Sequence, residues 1–161
     1  MASINSYSGI QKALHWAAAL LILQQYIFKE SISVAWEAVV SGSDIEFNPL
    51  VAAHVFGGLL VLVLVIWRLV LRKSNATPEQ HVARTLQDYV AKAVHILLYV
   101  TMILLPISGA VAWFGEVQNA ATVHNILKVI MMLTVVLHIV GALYHKLILK
   151  DGILESMLPN R

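Results

Sequence analysis

Six of the seven histidines in this 161-residue chain fall inside long apolar stretches: His15, His54, His95, His124, His138 and His145. An ionisable ring at membrane depth is costly unless it bonds a neighbour or holds a ligand, so each is a functional candidate by default. Any one of them is as readily explained by a hydrogen bond to an adjacent helix; six together are much harder to explain that way. The seventh, His81, follows Pro78 in a polar segment and reads as an ordinary surface residue. Cysteine is absent, which excludes disulfides, thiolate chemistry, iron–sulfur ligation and covalent attachment of a c-type haem. A redox role would therefore need a cofactor held by other ligands. A compact zinc-type centre would want its ligands clustered beside carboxylates or thiolates, and the spacing of these histidines offers no such cluster.

The elements that position the histidines follow from composition. Hydrophobic residues make up 59% of the chain and charged residues 12%, too apolar for a water-soluble core. The apolar residues form four blocks, at about 10–28, 50–71, 89–114 and 123–149. Each meets the length of roughly 20 residues that a span needs, and backbone groups in lipid must bond internally, so the blocks are expected to be helices. The fold class expected is all-α, an integral membrane four-helix bundle with residues 1–161 as a single transmembrane domain. Pro106 and Gly109 predict a kink in the third span. The first block lacks a small-residue cleavage site and carries His15, so it is expected to be a permanent span and not a signal peptide. Ile32, Trp36 and Val40 recur at helical spacing in the first connection, which suits either a helix lying on the membrane surface or an ordinary loop. A short turn is expected around residues 115–122. Lys12, Arg68, Arg72, Lys73, Arg84, Lys92, Lys146, Lys150 and Arg161 fall on one side, against Lys29 and Lys128 on the other, which predicts cytoplasmic termini and a cytoplasmic middle loop. The opposite face carries Glu30, Glu37, Asp44, Glu46 and Glu116 and is net acidic.

Depth sorts the histidines into pairs. His54 and His124 each lie just inside the outer end of a span, while His15 and His138 lie in the cytoplasmic halves of theirs. His124 and His138 are fourteen residues apart on one helix, about 21 Å of rise and about 40° from perfect alignment, so they share a face. Two levels of paired imidazoles suit two stacked haems with bis-histidine ligation, because haem iron accepts two neutral imidazoles on one axis and the ring needs an apolar slot. Gly57, Gly58 and Gly141 could make room for a flat ring, or serve ordinary helix packing. Lys128, one turn from His124, could pair with a haem propionate or extend to the outer headgroups.

The segments "SGIQKALHWAAALLI", "HVFGG", "AKAVHILLYVTMILLPISGAV" and "VHNILKVIMMLTVVLHIVGALYHKLILKDGILESMLP" resemble the bacterial cytochrome b561 family in order and spacing over nearly the whole chain. The resemblance implies four transmembrane helices, two haem b groups and quinone-linked electron transfer in the bacterial inner membrane. Carried onto this chain it makes His15 and His138 ligands of the cytoplasmic-side haem, and His54 and His124 ligands of the periplasmic-side haem. Two features depart from the pattern. His145 is followed by Lys146 where family members often have adjacent histidines, and the connection between the third and fourth spans is short.

The function expected is that of a quinone-linked oxidoreductase passing electrons from a periplasmic donor, superoxide as in some family members, through two haems to ubiquinone. His95 and His145, left over after ligation and similar in depth, would then serve the quinone carbonyls, with interhelical hydrogen bonding as the plain alternative. A different class of function is a membrane-anchor cytochrome b that carries electrons between a dehydrogenase or hydrogenase and the quinone pool. A third is a haem-free bundle that uses its histidines as polar glue. Lipid and quinone are the expected partners, and nucleic acid is not.

Overall fold

The computed structural model describes residues 7–44, 46–74 and 85–158. His81, Arg84 and Arg161 lie outside the described residues. Helix α1 spans Gly9–Ile27 and opens on a capping box, in which Gln11 N–H donates to Ser8 Oγ and Ser8 N–H to Gln11 Oε1. Phe28 ends α1 and begins α2, Lys29–Ser41, which stops at Gly42 in the left-handed conformation (φ 69°). Helix α3, Pro49–Ser74, starts with proline in its first turn, where the missing N–H costs nothing, and Asn48 Oδ1 accepts from Leu50 N–H at 2.9 Å. Thr85 and Asp88 form a second capping box at the head of α4, Leu86–Gly115. Helix α5, Gln118–Tyr144, continues into a π-helical turn, His145–Leu149, and the short α6 follows at Ile153–Met157.

The helices settle one reading that the sequence left open and shift some of the expected bounds. The first connection is a helix, because α2 has something to pack on: Ala35 is buried and Ile32 and Trp36 turn inward. Between α4 and α5 only Glu116, left-handed at φ 54°, and Val117 intervene, so the turn is shorter than expected and α5 begins with the polar Gln118 and Asn119. Helix α4 runs unbroken through Pro106, which is buried. Three of the four expected spans, α3, α4 and α5 with its continuation, are long and apolar enough to cross a membrane. The 19 residues of α1 give it a length of about 28 Å, but Gln11, Lys12, His15, Gln24 and Gln25 make it more polar than the others.

Packing joins α4 to α5, α1 to α3, and α3 to α4 between the two pairs. The centre is a layer of Val61, Val65, Leu98, Met102 and Met131. Thr101 and Thr134 are buried in the interior, each hydroxyl bonded to a carbonyl one turn back, so neither leaves a polar atom unpaired. The outer surface is apolar instead of charged: Leu20, Phe56, Leu133 and Val140 all stand exposed, as lipid-facing residues must. The molecule is an all-α membrane bundle of four long helices with α2 and α6 attached.

Candidate functional site

Both ends of the bundle bring imidazoles together across α5. At one end His54 of α3 and His124 of α5 have ring centres 6.5 Å apart and planes inclined at 64°. At the other, His15 of α1 and His138 of α5 are 6.2 Å apart at 66°. A metal-bound imidazole nitrogen lies about 2 Å from the ion and the ring centre about 1 Å further, so rings on opposite sides of one iron have centres about 6 Å apart. Both spacings fit that arrangement. His95 of α4 also approaches His138, but at 5.1 Å, too close for the two to hold one iron between them. No group of three or more histidine or acidic side chains among the described residues could hold a metal ion.

At the His54 end the second nitrogen of His124 is already committed. A carbonyl can only accept, so His124 Nδ1–H donates to the Leu105 carbonyl at 2.9 Å, with Ser108 Oγ at 3.3 Å, which leaves Nε2 as the ring's lone-pair nitrogen. Gly109 makes the approach possible, since a β-carbon there would stand 3.0 Å from Cε1 and Nδ1 of that ring. Among the described residues, His54 Nδ1 has no hydrogen-bond partner. A cavity of about 190 Å³ opens beside the two rings, lined by Tyr26, Trp36, Gly58, Pro106 and Trp113 among others. Its polar rim includes Lys29 and Lys128, the latter donating to Asn125 Oδ1 at 2.8 Å. Tyr26 O–H donates to the Lys128 carbonyl at 2.6 Å and ties α1 to α5.

The small residues separate into two kinds. Gly57 is explained by packing, for a β-carbon would meet Gln25 Nε2 at 2.6 Å, where that amide donates to Gln24 Oε1. Gly58 and Gly141 are not, because a β-carbon at either would meet nothing within 4 Å. Gly58 lines the cavity, so its smallness serves that space and not a helix contact.

At the His15 end the surroundings are cationic. Arg68 of α3 lies close enough to His15, His95 and His138 to act on all three electrostatically. No carboxylate forms an ion pair with it among the described residues. Arg72, one turn on, stands 6.0 Å from the Tyr99 ring centre. His95 Nδ1–H donates to the Ala91 carbonyl of its own helix at 2.7 Å, so its Nε2 is the accepting side. His145, grouped with His95 by depth, has a partner of its own: Asp151 Oδ2 lies 2.5 Å from its Nδ1. Partial burial pushes the Asp151 carboxyl up, but the hydrogen bonds from His145 and from Ile153 N–H outweigh it and hold the group below the ordinary range.

Sequence reasoning missed Asp151, Gly109 and Trp36 as members of these ends. Gly109 was visible only as a helix-weakening residue, and Trp36 only as one point in a helical spacing. Asp151, six residues after His145, was visible only as part of the tail that resembles the family pattern, with no role attached.

A family model described as prokaryotic cytochrome b561 matches residues 6–160. Cytochrome b562 of Cereibacter sphaeroides is 37% identical over 158 residues, covering 96% of this chain and 96% of its own length. With the paired imidazoles, the apolar spans and these two matches together, the chain belongs to the prokaryotic cytochrome b561 family, membrane proteins that bind haem b and carry electrons across the bilayer.

Proposed function

We propose that this chain holds two haem b groups, one between His15 and His138 and one between His54 and His124, and passes electrons from a periplasmic donor to ubiquinone. The observation that carries the reading is the recurrence, at both ends of α5, of two imidazoles with centres about 6 Å apart. Haem would supply reversible one-electron chemistry. His124 is held in one tautomer by the Leu105 carbonyl, so its Nε2 is ready to bind iron without reorganising. Lys128 at one end and Arg68 at the other would offer positive charge to haem propionates. His95 and His145 are proposed to bond the quinone carbonyls at the His15 end. With both termini cytoplasmic, as the distribution of Lys and Arg favours, electrons travel inward.

Purified protein should carry two haems per chain with a low-spin, six-coordinate b-type spectrum. Replacing His54 or His124 by Ala should empty one site, and replacing His15 or His138 the other. One haem per chain, or different haems lost from His15→Ala and His138→Ala, overturns the assignment.

Superoxide is the donor proposed first, with Lys29 and Lys128 at the cavity rim as its local attraction. The acidic groups Glu30, Glu37, Asp44, Glu46 and Glu116 oppose long-range steering of an anion, so the reaction should be slower and less salt-sensitive than a basic outer surface would give. The same acidic surface favours a second reading, an anchor subunit receiving electrons from a dehydrogenase or hydrogenase. Stopped-flow mixing of superoxide with reconstituted protein separates the two: haem reduction, slowed further by Lys128→Glu, supports the first, and no reduction at any ionic strength supports the second.

A further inference from the structure

The tail after α5 folds back on itself with unusual economy. His145 opens a π-helical turn, Lys150 closes it in the left-handed conformation (φ 52°), and Lys150 N–H donates to the His145 carbonyl at 2.7 Å. That wider turn returns the chain so that Asp151 Oδ2 meets His145 Nδ1 at 2.5 Å. The other carboxylate oxygen, Oδ1, accepts from Ile153 N–H at 3.1 Å and begins α6. Helix α6 is pinned in turn, because Trp16 of α1 donates its indole N–H to the Met157 carbonyl at 3.0 Å. The neighbouring charged and titratable groups are Tyr144, Lys146 and Lys150 along the same stretch and Glu155 on α6. Lys146 is occupied by Glu155 at 4.0 Å, and the Tyr144 hydroxyl accepts from Gln87 Nε2 at 3.3 Å. Asp151 is thus the carboxylate bonded to His145.

We infer that Asp151 is a positioning residue for proton delivery to the quinone: by accepting from Nδ1–H it holds His145 with Nε2 turned to the quinone carbonyl. The inference rests on the proposed placement of quinone beside His95 and His145. A carboxylate on one imidazole nitrogen fixes the tautomer and raises the basicity of the other, which is how second partners tune histidines in general. Reduction of one quinone consumes two electrons, arriving by the proposed route, and two protons. For each proton the Nε2–H bond of the His145 imidazolium breaks, an O–H bond forms on a quinone oxygen, and Nδ1–H stays on Asp151. Nε2 is then reprotonated from the aqueous side, which the pair can reach because the His145 and Asp151 side chains are 18% and 31% exposed.

The test uses the haem-loaded protein in liposomes with decylubiquinone as acceptor. Asp151→Asn keeps an oxygen for Ile153 N–H but removes the charge. It should retain both haems and the wild-type KM while kcat falls about 10 to 100-fold, the scale of losing the outer partner of a functional histidine. Asp151→Glu, which restores the anion, should recover part of the lost kcat. An unchanged kcat in Asp151→Asn overturns the inference, as does a slower variant in which KM or haem content has changed with it or which Asp151→Glu does not improve. If instead His95→Ala and His145→Ala both keep their haems and reduce quinone at the wild-type rate, the quinone placement itself is wrong. A slow His145→Ala beside a normal Asp151→Asn removes only the role of Asp151.

Discussion

A β-carbon at Gly109 would press on Cε1 and Nδ1 of His124 at 3.0 Å, straining the ring where its Nδ1–H is held by the Leu105 carbonyl. Overpacking of this kind costs about 1–3 kcal/mol, which at about 1.4 kcal/mol per tenfold corresponds to roughly 5 to 150-fold in haem affinity. On the proposed assignment of two haems, Gly109→Val should therefore lose the one at the His54 end while keeping the other, measured by haem content and redox titration; loss of both, or of neither, contradicts this. Ser108→Ala should do much less, since Leu105 remains as the acceptor. The meeting of His54 with His124 and of His15 with His138 was legible in the spacing, because depth follows directly from a rise of about 1.5 Å per residue. The approach of His95 to His138 was not, since depth says nothing of which way a helix is turned. The Asp151 carboxyl, held below the ordinary carboxylate range by its hydrogen bonds, has a depressed folded-state value. Its contribution to the tail is thus present above the unfolded value of about 3.9 and lost as pH falls through the folded one. The tail should stay closed at pH 5 and open only in stronger acid, as hydrogen exchange at α6 would report.

The α2 segment was the least decidable element, because a 13-residue amphipathic pattern is marginal as a helix without a surface to pack on. That surface is the mouth of the cavity beside His54 and His124, which lies far away in sequence. The long apolar helices needed no such information: their lengths follow from the bilayer, and only their ends moved, at caps such as Thr85 and Asn48. The π-helical turn was invisible for the opposite reason. Its sequence, HKLIL, is compatible with an ordinary helix, and the extra residue in the turn is recognised only by where the chain goes next. Deleting Leu147 should restore the α-helical step and rotate Asp151 by about 100° away from His145. The deletion should then reproduce the slowed quinone reduction of Asp151→Asn with both haems retained; wild-type kinetics would show that the turn has no part in the reaction.

For the whole bundle, the two imidazole pairs are separated by a layer with almost no accessible space: Val65 is 0% exposed, Thr101 and Thr134 1%, and Met131 2%. Both threonine hydroxyls donate to carbonyls of their own helices, so among the described residues neither offers its proton across this layer. An electron can tunnel through such packing, whereas a proton would need a polar chain. On the proposed route the electron thus traverses the membrane unaccompanied, and the protons that neutralise it come from the His15 side alone. Turnover is then electrogenic: each electron moved inward leaves that side more negative, and an opposing potential of 100 mV costs up to about 2.3 kcal/mol per charge. In sealed proteoliposomes, turnover should slow as the potential builds and recover when valinomycin with potassium collapses it, while a rate indifferent to the ionophore would mean that protons follow the electron through the bundle. A packed layer of valine, threonine and methionine would in that way make a small cytochrome a current source for its membrane.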